Sequence, residues 1–310
     1  MNKKTFFFRL GIIGILISIV VYLFTKKTAD GLCDSYYMRF TSSKQNSLIV
    51  GTSRSAQDLQ PEAINTILKN SKYESTVYNF SFTLDDSPFG PGYYNAIKKK
   101  LNGNSHRGLF IVTVDPWAVS TDTSNKNDDP DIFFEKRSFV TKMNFVNMSP
   151  NFEYIFRFYG KPLIALAYKK KKSVRLHDDG WLEVSPPMDS MSVLARIKEK
   201  TDKYTSVANS SKFSLTRYFY LEKIIELLQQ HGDVFLVRLP VGKEMSLIEK
   251  KMMPDFDKKV EEASIKYNIQ YINFINESGN FLTIDGNHLY KSEGYKISQK
   301  IALLISGKNG

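Results

Sequence analysis

The chain has a single cysteine, Cys33, among its 310 residues, so no disulfide can form within it. A lone thiol neither supports nor opposes an exported protein. The residues before it, Asp30, Gly31 and Leu32, do not resemble a lipobox, so we do not expect Cys33 to carry a lipid. No repeat with a period of about 20 to 50 residues is visible, which argues against a repeat architecture.

Low-complexity composition is also absent. Hydrophobic residues make up 42% of the chain and aromatic residues 13%, as in ordinary globular proteins, so extended disorder is not expected. A length of 310 residues exceeds that of a usual single domain. One α/β domain with an insertion accounts for all of it.

A long hydrophobic run, "FFFRLGIIGILISIVVYLF", covers residues 6–24. It is long enough to cross the hydrocarbon layer of a membrane, which is about 30 Å thick. Three cations precede the centre of the run and two follow it, which favours a cytoplasmic N-terminus and an extracytoplasmic domain. A cleaved signal peptide is the alternative, but Lys26 and Lys27 stand where small residues should precede cleavage. We therefore expect a retained anchor at 1–27 and a connector at 28–46.

Positive charge is in excess, because 43 Lys and Arg residues against 32 Asp and Glu give a net charge of +11. Basic runs occur at Lys98 to Lys100 and at Lys169 to Lys172. Nucleic acid is one partner of such charge, but the membrane anchor argues against it. A domain tethered beyond a membrane instead meets anionic headgroups or acidic envelope polymers. The alternative is that these runs are solvated faces.

Short apolar runs alternate with amphipathic helices from residue 47 onward, and we assign 47–310 to one domain. The predicted strands are 47–51, 76–82, 108–117, 233–240 and 269–275, and the predicted helices are 60–70, 90–103, 217–232, 254–268 and about 292–306. This order predicts a parallel five-stranded sheet covered by helices on both faces. An insertion or lid at about 118–215 interrupts the rhythm. In such sheets the functional site lies outside the carboxyl ends of the strands.

Two polar stretches fall at that edge. Ser53, in "SLIVGTSRSAQDLQPEAI", follows the first strand, and "TIDGNHLYKSEGY" lies between the fifth strand and the last helix. A serine nucleophile needs a base, and the base needs an orienting group. Of the four histidines only His288 has an aspartate, Asp285, three residues before it, so we expect these three residues to act together. In the alternative interpretation Asp285 caps the helix entrance while His288 packs against Tyr290 and Tyr295.

The stretches "IVGTSRS" and "DGNH" resemble the first and last sequence blocks of the SGNH (GDSL-like) hydrolase superfamily. The Gly-x-Ser-Arg form and the N-terminal anchor are similar to membrane-anchored cell-envelope members of the DltD type, which move or remove acyl groups on surface polymers. The resemblance covers about residues 47 to 117 and 233 to 306. It implies a three-layer, flavodoxin-like fold, with Ser53 as nucleophile, His288 as base and Asp285 as its orienting group.

Two middle blocks depart from the family pattern. The family places a glycine after the second strand and an asparagine after the third, and both donate hydrogen bonds to the oxyanion. This chain has "NFSFTLDD" and "VTVDPWAV" there. Asn79, Ser81 and the backbone at Ser53 are the candidate donors, whereas an ionised Asp115 can only accept. The loss of one such donor costs about 2.7 to 4 kcal/mol of transition-state stabilisation.

Two residues near the predicted site are candidates for substrate binding. Arg54 either contacts an anion beside the nucleophile or forms an ion pair with an acid such as Asp58 or Asp115. Trp117, at the end of the third strand, either stacks on a sugar ring or contacts the core or the lid.

No cofactor is expected. The stretch "HDDGW" contains His177, Asp178 and Asp179, but one histidine beside two adjacent carboxylates lacks a spaced partner, so we expect no metal. The sequence therefore predicts an extracytoplasmic serine esterase or O-acyltransferase that acts on a cell-surface polysaccharide or anionic polymer, with envelope-biosynthesis proteins as further partners. The alternative is a catalytically inactive scaffold or carbohydrate-binding module of the same fold.

Overall fold

The computed structural model describes residues 2–28, 32, 34–74, 76–158 and 173–307. The first helix, α1 (Lys3–Thr28), contains the apolar run. Its stretch Lys3–Thr25 is 23 residues long and none of its most apolar part is buried against the rest of the chain. At 1.5 Å per residue it is long and apolar enough to span a membrane.

The remaining elements follow the predicted alternation, with additions. In chain order they are α2 (Tyr37–Thr41), β1 (Leu48–Val50), α3 (Ser53–Asp58), α4 (Pro61–Leu68), β2 (Tyr78–Asn79), α5 (Pro91–Lys100), β3 (Gly108–Thr113), β4 (Ser120–Asp122), α6 (Phe139–Lys142), α7 (Phe152–Phe158), β5 (Val174–Leu176), β6 (Leu182–Val184), α8 (Ser190–Asn209), β7 (Ser211–Phe213), α9 (Leu215–Gln229), β8 (Gly232–Arg238), α10 (Lys243–Met252), α11 (Phe256–Tyr267), β9 (Gln270–Asn273) and α12 (Lys291–Ile305).

The central sheet has five strands in the order β2-β1-β3-β8-β9, and every pairing is parallel. The predicted α/β class with a parallel five-stranded sheet is therefore confirmed. Two small antiparallel pairs, β4 with β7 and β5 with β6, lie within the insertion. Because all five central strands run in one direction, their carboxyl ends meet at one edge of the sheet.

Strands β1 and β3, at the centre of the sheet, are buried on both faces, as their apolar runs predict. Val50, Phe110 and Val112 pack with residues of α5, α9 and α11, whereas Ile49 and Ile111 pack with residues of α4 and α12. Each such side chain contributes about 1.5 to 3 kcal/mol when fully buried. The two layers of helices thereby hold the carboxyl edge of the sheet in a fixed position.

Residues 34–46 differ from the expected polar connector, because α2 packs into the core. Tyr37, Arg39 and Phe40 are buried, and Arg39 Nη2 donates to the carbonyl of Gly180 at 2.6 Å. Phe40 stacks against Tyr154, with ring centroids 5.2 Å apart. The aromatic side chains outweigh the polar residues around them, so the folded domain begins before the first strand.

The described part of the insertion is also tied to the core. Ala118, Val119, Val140 and Met143 belong to the same buried cluster as the central strands. The basic run at Lys169 to Lys172 lies outside the described residues. Residues 118–158 therefore contribute to the main fold rather than forming a separate lid.

A buried ion pair joins this segment to α9. Arg217 Nη1 and Nη2 donate to the two carboxylate oxygens of Glu135 at 2.8 and 2.9 Å, and both side chains are buried. We expect Glu135→Gln to lower the free energy of unfolding by about 3 to 5 kcal/mol, because it leaves a buried guanidinium without its counter-charge. Denaturant unfolding of the full chain in detergent measures this.

The matched control is Glu199→Gln, at an exposed position on α8, which should change the same quantity by less than about 0.5 kcal/mol. An equally small change in both variants would contradict the assignment of residues 118–158 to the core.

Candidate active site

Ser53 is the first residue of α3, two residues beyond Gly51 at the end of β1. Gly51 has φ +153°, and a Cβ at this position would clash with Thr113 Oγ1, so the turn requires glycine. The Gly51 N–H donates to the hydroxyl of Tyr93 on α5 at 2.9 Å, and this bond fixes the turn relative to that helix. Ser53 itself stays partly exposed. The local sequence thus presents a serine hydroxyl at the carboxyl edge of the sheet.

Ser53, His288 and Asp285 are in contact. Ser53 Oγ lies 2.9 Å from His288 Nε2, and His288 Nδ1 lies 2.9 Å from Asp285 Oδ2. When Nδ1 carries the proton, the Nδ1–H donates a hydrogen bond to Asp285, and Nε2 is left as an acceptor for the serine hydroxyl. The arrangement can remove the proton from Ser53 Oγ and hold it on the imidazole.

Asp285 also closes the turn that carries His288. Its Oδ1 accepts from the N–H groups of Asn287 and His288, at 2.9 Å each. Gly286, between Asp285 and Asn287, adopts φ +78° in this turn. The carboxylate therefore shapes the loop and orients the ring, but it does not cap α12, whose N-cap residue is Tyr290 and makes no side-chain capping hydrogen bond.

The charge of Asp285 is stabilised from two sides. Burial would raise its pKa, but His288 and Lys200, whose Nζ lies 3.2 Å from Oδ2, together lower it below its ordinary value. A carboxyl whose pKa is lowered by folding stabilises the fold above about pH 4, and that contribution is lost as the pH falls through the folded-state pKa.

Asp58 joins α3, the helix that begins with Ser53, to the loop of residues 283–289 that carries His288, which we call the histidine loop. Its Oδ1 accepts from the N–H of Leu289 at 3.0 Å, and the residue is fully buried at the end of α3. Burial raises the pKa of Asp58 well above its usual range. The contact fixes the loop residue next to His288 relative to the helix that carries Ser53.

Arg54 is a structural residue, and its ion pair is with Glu249 on α10 rather than with Asp58 or Asp115. Its Nε and Nη2 also donate to Asn287 Oδ1, at 3.1 and 2.6 Å. Burial alone would lower the pKa of Arg54, but Glu249 raises it above its ordinary value. Because Arg54 is only 3% exposed, the predicted contact with a substrate anion is not supported.

Glu249 was missed from the sequence because α10 was not recognised there. Its carboxylate also accepts from Trp117 Nε1 at 2.7 Å and from Arg238 Nη2 at 3.2 Å. Trp117 is buried, and its ring packs edge-on against Tyr204 of α8 with centroids 4.7 Å apart. Trp117 is therefore a contact between the core and the insertion, and not a surface for stacking a sugar. A signal in the sequence was the apolar series Met245, Ile248 and Met252, spaced by three and four residues as on one face of a helix.

Asn79 and Ser81 are not brought to the serine as oxyanion donors. The Asn79 amide donates to the carbonyls of Ser55 and Leu59, at 2.7 and 3.0 Å, so both its hydrogens are used. The Ser81 hydroxyl is directed to the carbonyl of Ile49 at 3.4 Å. Both side chains are fully buried, and these two predictions were wrong.

Asp115 accepts hydrogen bonds from its own neighbourhood and provides no donor near Ser53. Its carboxylate accepts from Thr52 Oγ1 at 2.7 Å and from the N–H of Ala118 at 2.9 Å. Burial raises the pKa of Asp115, and Arg54 partly opposes this. The residue closes the turn after β3 and holds the segment just before Ser53.

Asn287 supplies a side-chain amide that the sequence interpretation missed, although it lies inside "DGNH". Because Arg54 donates twice to its Oδ1, its Nδ2 group is directed away from Arg54 and lies 3.2 Å from His288 Nε2. An N–H donor therefore stands beside the point where Ser53 Oγ meets the imidazole.

Helix α8 of the insertion lies against this loop through one face. Arg196 Nε donates to the carbonyl of Ile284 at 2.7 Å, and a Cβ at Gly286 would lie 3.6 Å from the Ile197 side chain. Lys200 and Tyr204 continue the same face one and two turns further on. The insertion thus provides a cation to the site as well as a cover for it.

The "HDDGW" stretch has structural contacts. His177 Nε2 lies 3.0 Å from Glu183 Oε2 and its ring stacks on Trp181, while Asp179 Oδ1 accepts from the N–H of Trp181 at 3.0 Å. Among the residues that the structure describes, no group of three His, Cys, Asp or Glu side chains could hold a metal ion.

No protein-family model matches the chain, and no curated protein matches it. The assignment of the site therefore depends on the geometry of its own residues.

Tyr204 connects α8 to the core, so its removal should loosen the helix. We expect Tyr204→Ala to raise amide hydrogen exchange in α8 about tenfold while exchange in β3 and β8 is unchanged, because the aromatic contact is lost locally. Lys203→Ala, at the neighbouring exposed position, is the control and should leave exchange unchanged. Equal exchange in both variants would show that α8 is held by other contacts.

Proposed function

We propose that the protein is a membrane-anchored, extracytoplasmic SGNH-type serine esterase or O-acyltransferase. Its substrates would be acyl groups of a cell-surface polysaccharide or an anionic envelope polymer. The observation that carries this proposal is the chain of contacts from Ser53 Oγ through His288 to Asp285, with 2.9 Å at each step. A serine, a base and an orienting carboxylate in this order are the requirements of nucleophilic acyl transfer.

The strand order supports the family assignment. The order of the strands in the central sheet is β2-β1-β3-β8-β9. When these five strands are numbered 1 to 5 in chain order, this becomes 2-1-3-4-5, which is the flavodoxin-like order. Helices cover both faces, as a three-layer fold requires. The sequence resemblance at "IVGTSRS" and "DGNH" points the same way, and α8 is the part of the insertion that would act as a lid.

The reaction follows from the positions of the protons. His288 Nε2 takes the proton of Ser53 Oγ as that oxygen attacks the carbonyl carbon of an ester. The intermediate collapses when His288 returns the proton to the leaving alcohol, and the acyl group stays on Ser53. Water or a sugar hydroxyl then loses a proton to His288 and attacks the acyl carbon, and the proton returns to Ser53 Oγ. Water gives hydrolysis, and a sugar hydroxyl gives transfer.

The negative oxygen of the intermediate needs hydrogen-bond donors. We assign this role to the backbone N–H of Ser53 and to Asn287 Nδ2, which lies 3.2 Å from His288 Nε2. In this assignment Arg54 is a positioning residue, because it fixes which end of the Asn287 amide faces the substrate. The side-chain amide in the histidine loop would take the place of the donor that the family draws from the third strand.

An inactive scaffold or carbohydrate-binding module of the same fold is the second candidate. It is favoured by the two middle segments, where Asn79 and Asp115 make internal hydrogen bonds and offer no donor. The envelope location in both candidates is supported by α1 and by the net charge of +11.

A fluorophosphonate probe distinguishes the two candidates, because it reacts only with an activated serine. We expect labelling of Ser53 in the full chain, and loss of at least about 10⁴-fold in ester turnover in Ser53→Ala. Adding His288→Ala to Ser53→Ala should cost little more, since members of a triad act as one unit. Ser292→Ala, at an exposed position of α12, is the control and should keep both labelling and turnover. No labelling of Ser53 would favour the inactive candidate.

Lys200 should set the pH dependence of turnover. Its ammonium is one of the groups that lower the pKa of Asp285, so Lys200→Met should raise the pKa of that carboxyl, which orients His288. The acid limb of kcat/KM is then expected to move to higher pH by about half a unit to one unit. Lys200→Arg should restore the original profile.

Lys198→Met is the matched control, because Lys198 is 78% exposed on the same helix and pairs with Asp202 instead. An acid limb that stays in place in Lys200→Met would show that Lys200 only anchors α8.

A further inference from the structure

Four large apolar side chains of the insertion are exposed close together. Phe145 is 48% exposed, Met148 40%, Phe152 41% and Phe156 78%. We call these four residues the aromatic patch. On α7 the opposite face is buried, since Tyr154 and Ile155 belong to the core. The exposed aromatic side chains of α7 are therefore not needed to pack this helix against the core.

The patch is held rigidly by polar contacts beneath it. The rings of Phe152 and Phe156 stack with centroids 6.5 Å apart. Glu153 accepts from the N–H of Phe145 at 3.0 Å, and Asn151 Nδ2 donates to the carbonyl of Phe145 at 2.9 Å. These bonds bring Phe145 beside α7, so the side chains form one surface.

The same segment is bonded to the first residues of the domain after α1. The Tyr154 hydroxyl donates to Asp34 at 3.0 Å. The N–H of Met148 donates to the carbonyl of Phe40 at 3.2 Å, and the N–H of Asn151 donates to the Tyr37 hydroxyl at 3.1 Å. The patch thus lies at the corner of the domain where the chain arrives from α1.

Chain length places this corner near the membrane, provided that α1 spans it. Only five residues lie between Thr28, the end of α1, and Asp34, and the six Cα–Cα steps that join the two can cover at most about 20 Å. A domain of this size has a radius of gyration of about 18 Å and is roughly 45 Å across. The connection between α1 and Asp34 is therefore shorter than half the width of the domain. The corner that contains Asp34 therefore lies within about 20 Å of the bilayer, and the aromatic patch lies on the exposed side of that corner.

We propose that the aromatic patch docks into the interfacial layer of the membrane that α1 crosses. Exposed Phe and Met side chains on a short helix and the segment before it suit the boundary between headgroups and acyl chains, and exposed apolar patches of this kind mark contact surfaces. Arg157 and Lys142, which flank the patch in sequence, can reach anionic headgroups. The domain would then have two attachments to one bilayer, the helix and the patch.

The test uses the full chain in lipid nanodiscs that contain phosphatidylglycerol. Cys33→Ser removes the native thiol, and Phe156→Cys carries an environment-sensitive fluorophore. We expect a blue shift and about twofold stronger quenching by lipids with a nitroxide near the headgroup than at a control position, because the label would lie within about 10 Å of the interface. The control is Ile265→Cys on α11, which is 76% exposed and belongs to the β8–β9 side of the sheet. Equal quenching at the two positions would overturn the proposal.

A second variant keeps the proposal testable if the label itself perturbs the patch. With the fluorophore at Phe145→Cys, the substitutions Phe152→Ser and Phe156→Ser should remove most of the lipid quenching while the unfolding temperature stays unchanged. Quenching that persists in this variant would overturn the proposal. Contact between labels in discs holding two copies, without quenching by lipid, would replace the membrane by a second copy of the chain.

Discussion

The guanidinium of Arg54 connects the segments that make the site. It follows Ser53 directly in sequence, it donates to Asn287 beside His288, and it pairs with Glu249 on α10. Each partner is itself buried, so none of these groups can turn to water for an alternative hydrogen bond. The relative position of the serine and the histidine is therefore coupled to a polar network beneath them, and not only to the two loops that carry them.

Glu249 shares its two oxygens among two arginines and an indole. Arg238, the second arginine, pairs with Asp257 as well, which gives the network two cations and two anions. A buried network of this kind is stable only when every member is present, because a single uncompensated charge costs several kcal/mol. This balance of buried charges explains why α10 and Trp117 are joined to the Ser53–His288 site through Glu249 and Arg54.

Much of this architecture follows from local sequence patterns. The strands around Leu48 and Phe110 are buried on both faces, so their apolar runs are unambiguous, and α9 shows its buried face as Leu221, Ile224 and Leu228. Ser53 and the Asp285–His288 pair were found because short motifs follow strand ends at a known edge. By contrast, α10 is short and half charged, and its helical pattern was not recognised.

The remaining parts of the site depend on contacts between distant positions. Arg54 meets Asn287 across 233 residues and Glu249 across 195, and no periodicity records such pairs. Asn79 resembled an oxyanion donor in sequence, but the carbonyls that take its hydrogens become neighbours only after folding. Lys200 and Tyr204 lay in a segment without strand-helix rhythm, so nothing local indicated that their helix would cover the histidine loop.

The short connection between α1 and Asp34 has a consequence for where chemistry can occur. With α1 in a membrane, about 20 Å of chain and a domain roughly 45 Å across set an upper limit of about 65 Å on the height of Ser53 above the bilayer. Under the proposed function, acyl donors and acceptors would have to come within this height, and polymer that extends further outward would be beyond the reach of Ser53. The distance from the lipid surface would thus limit which molecules can reach Ser53.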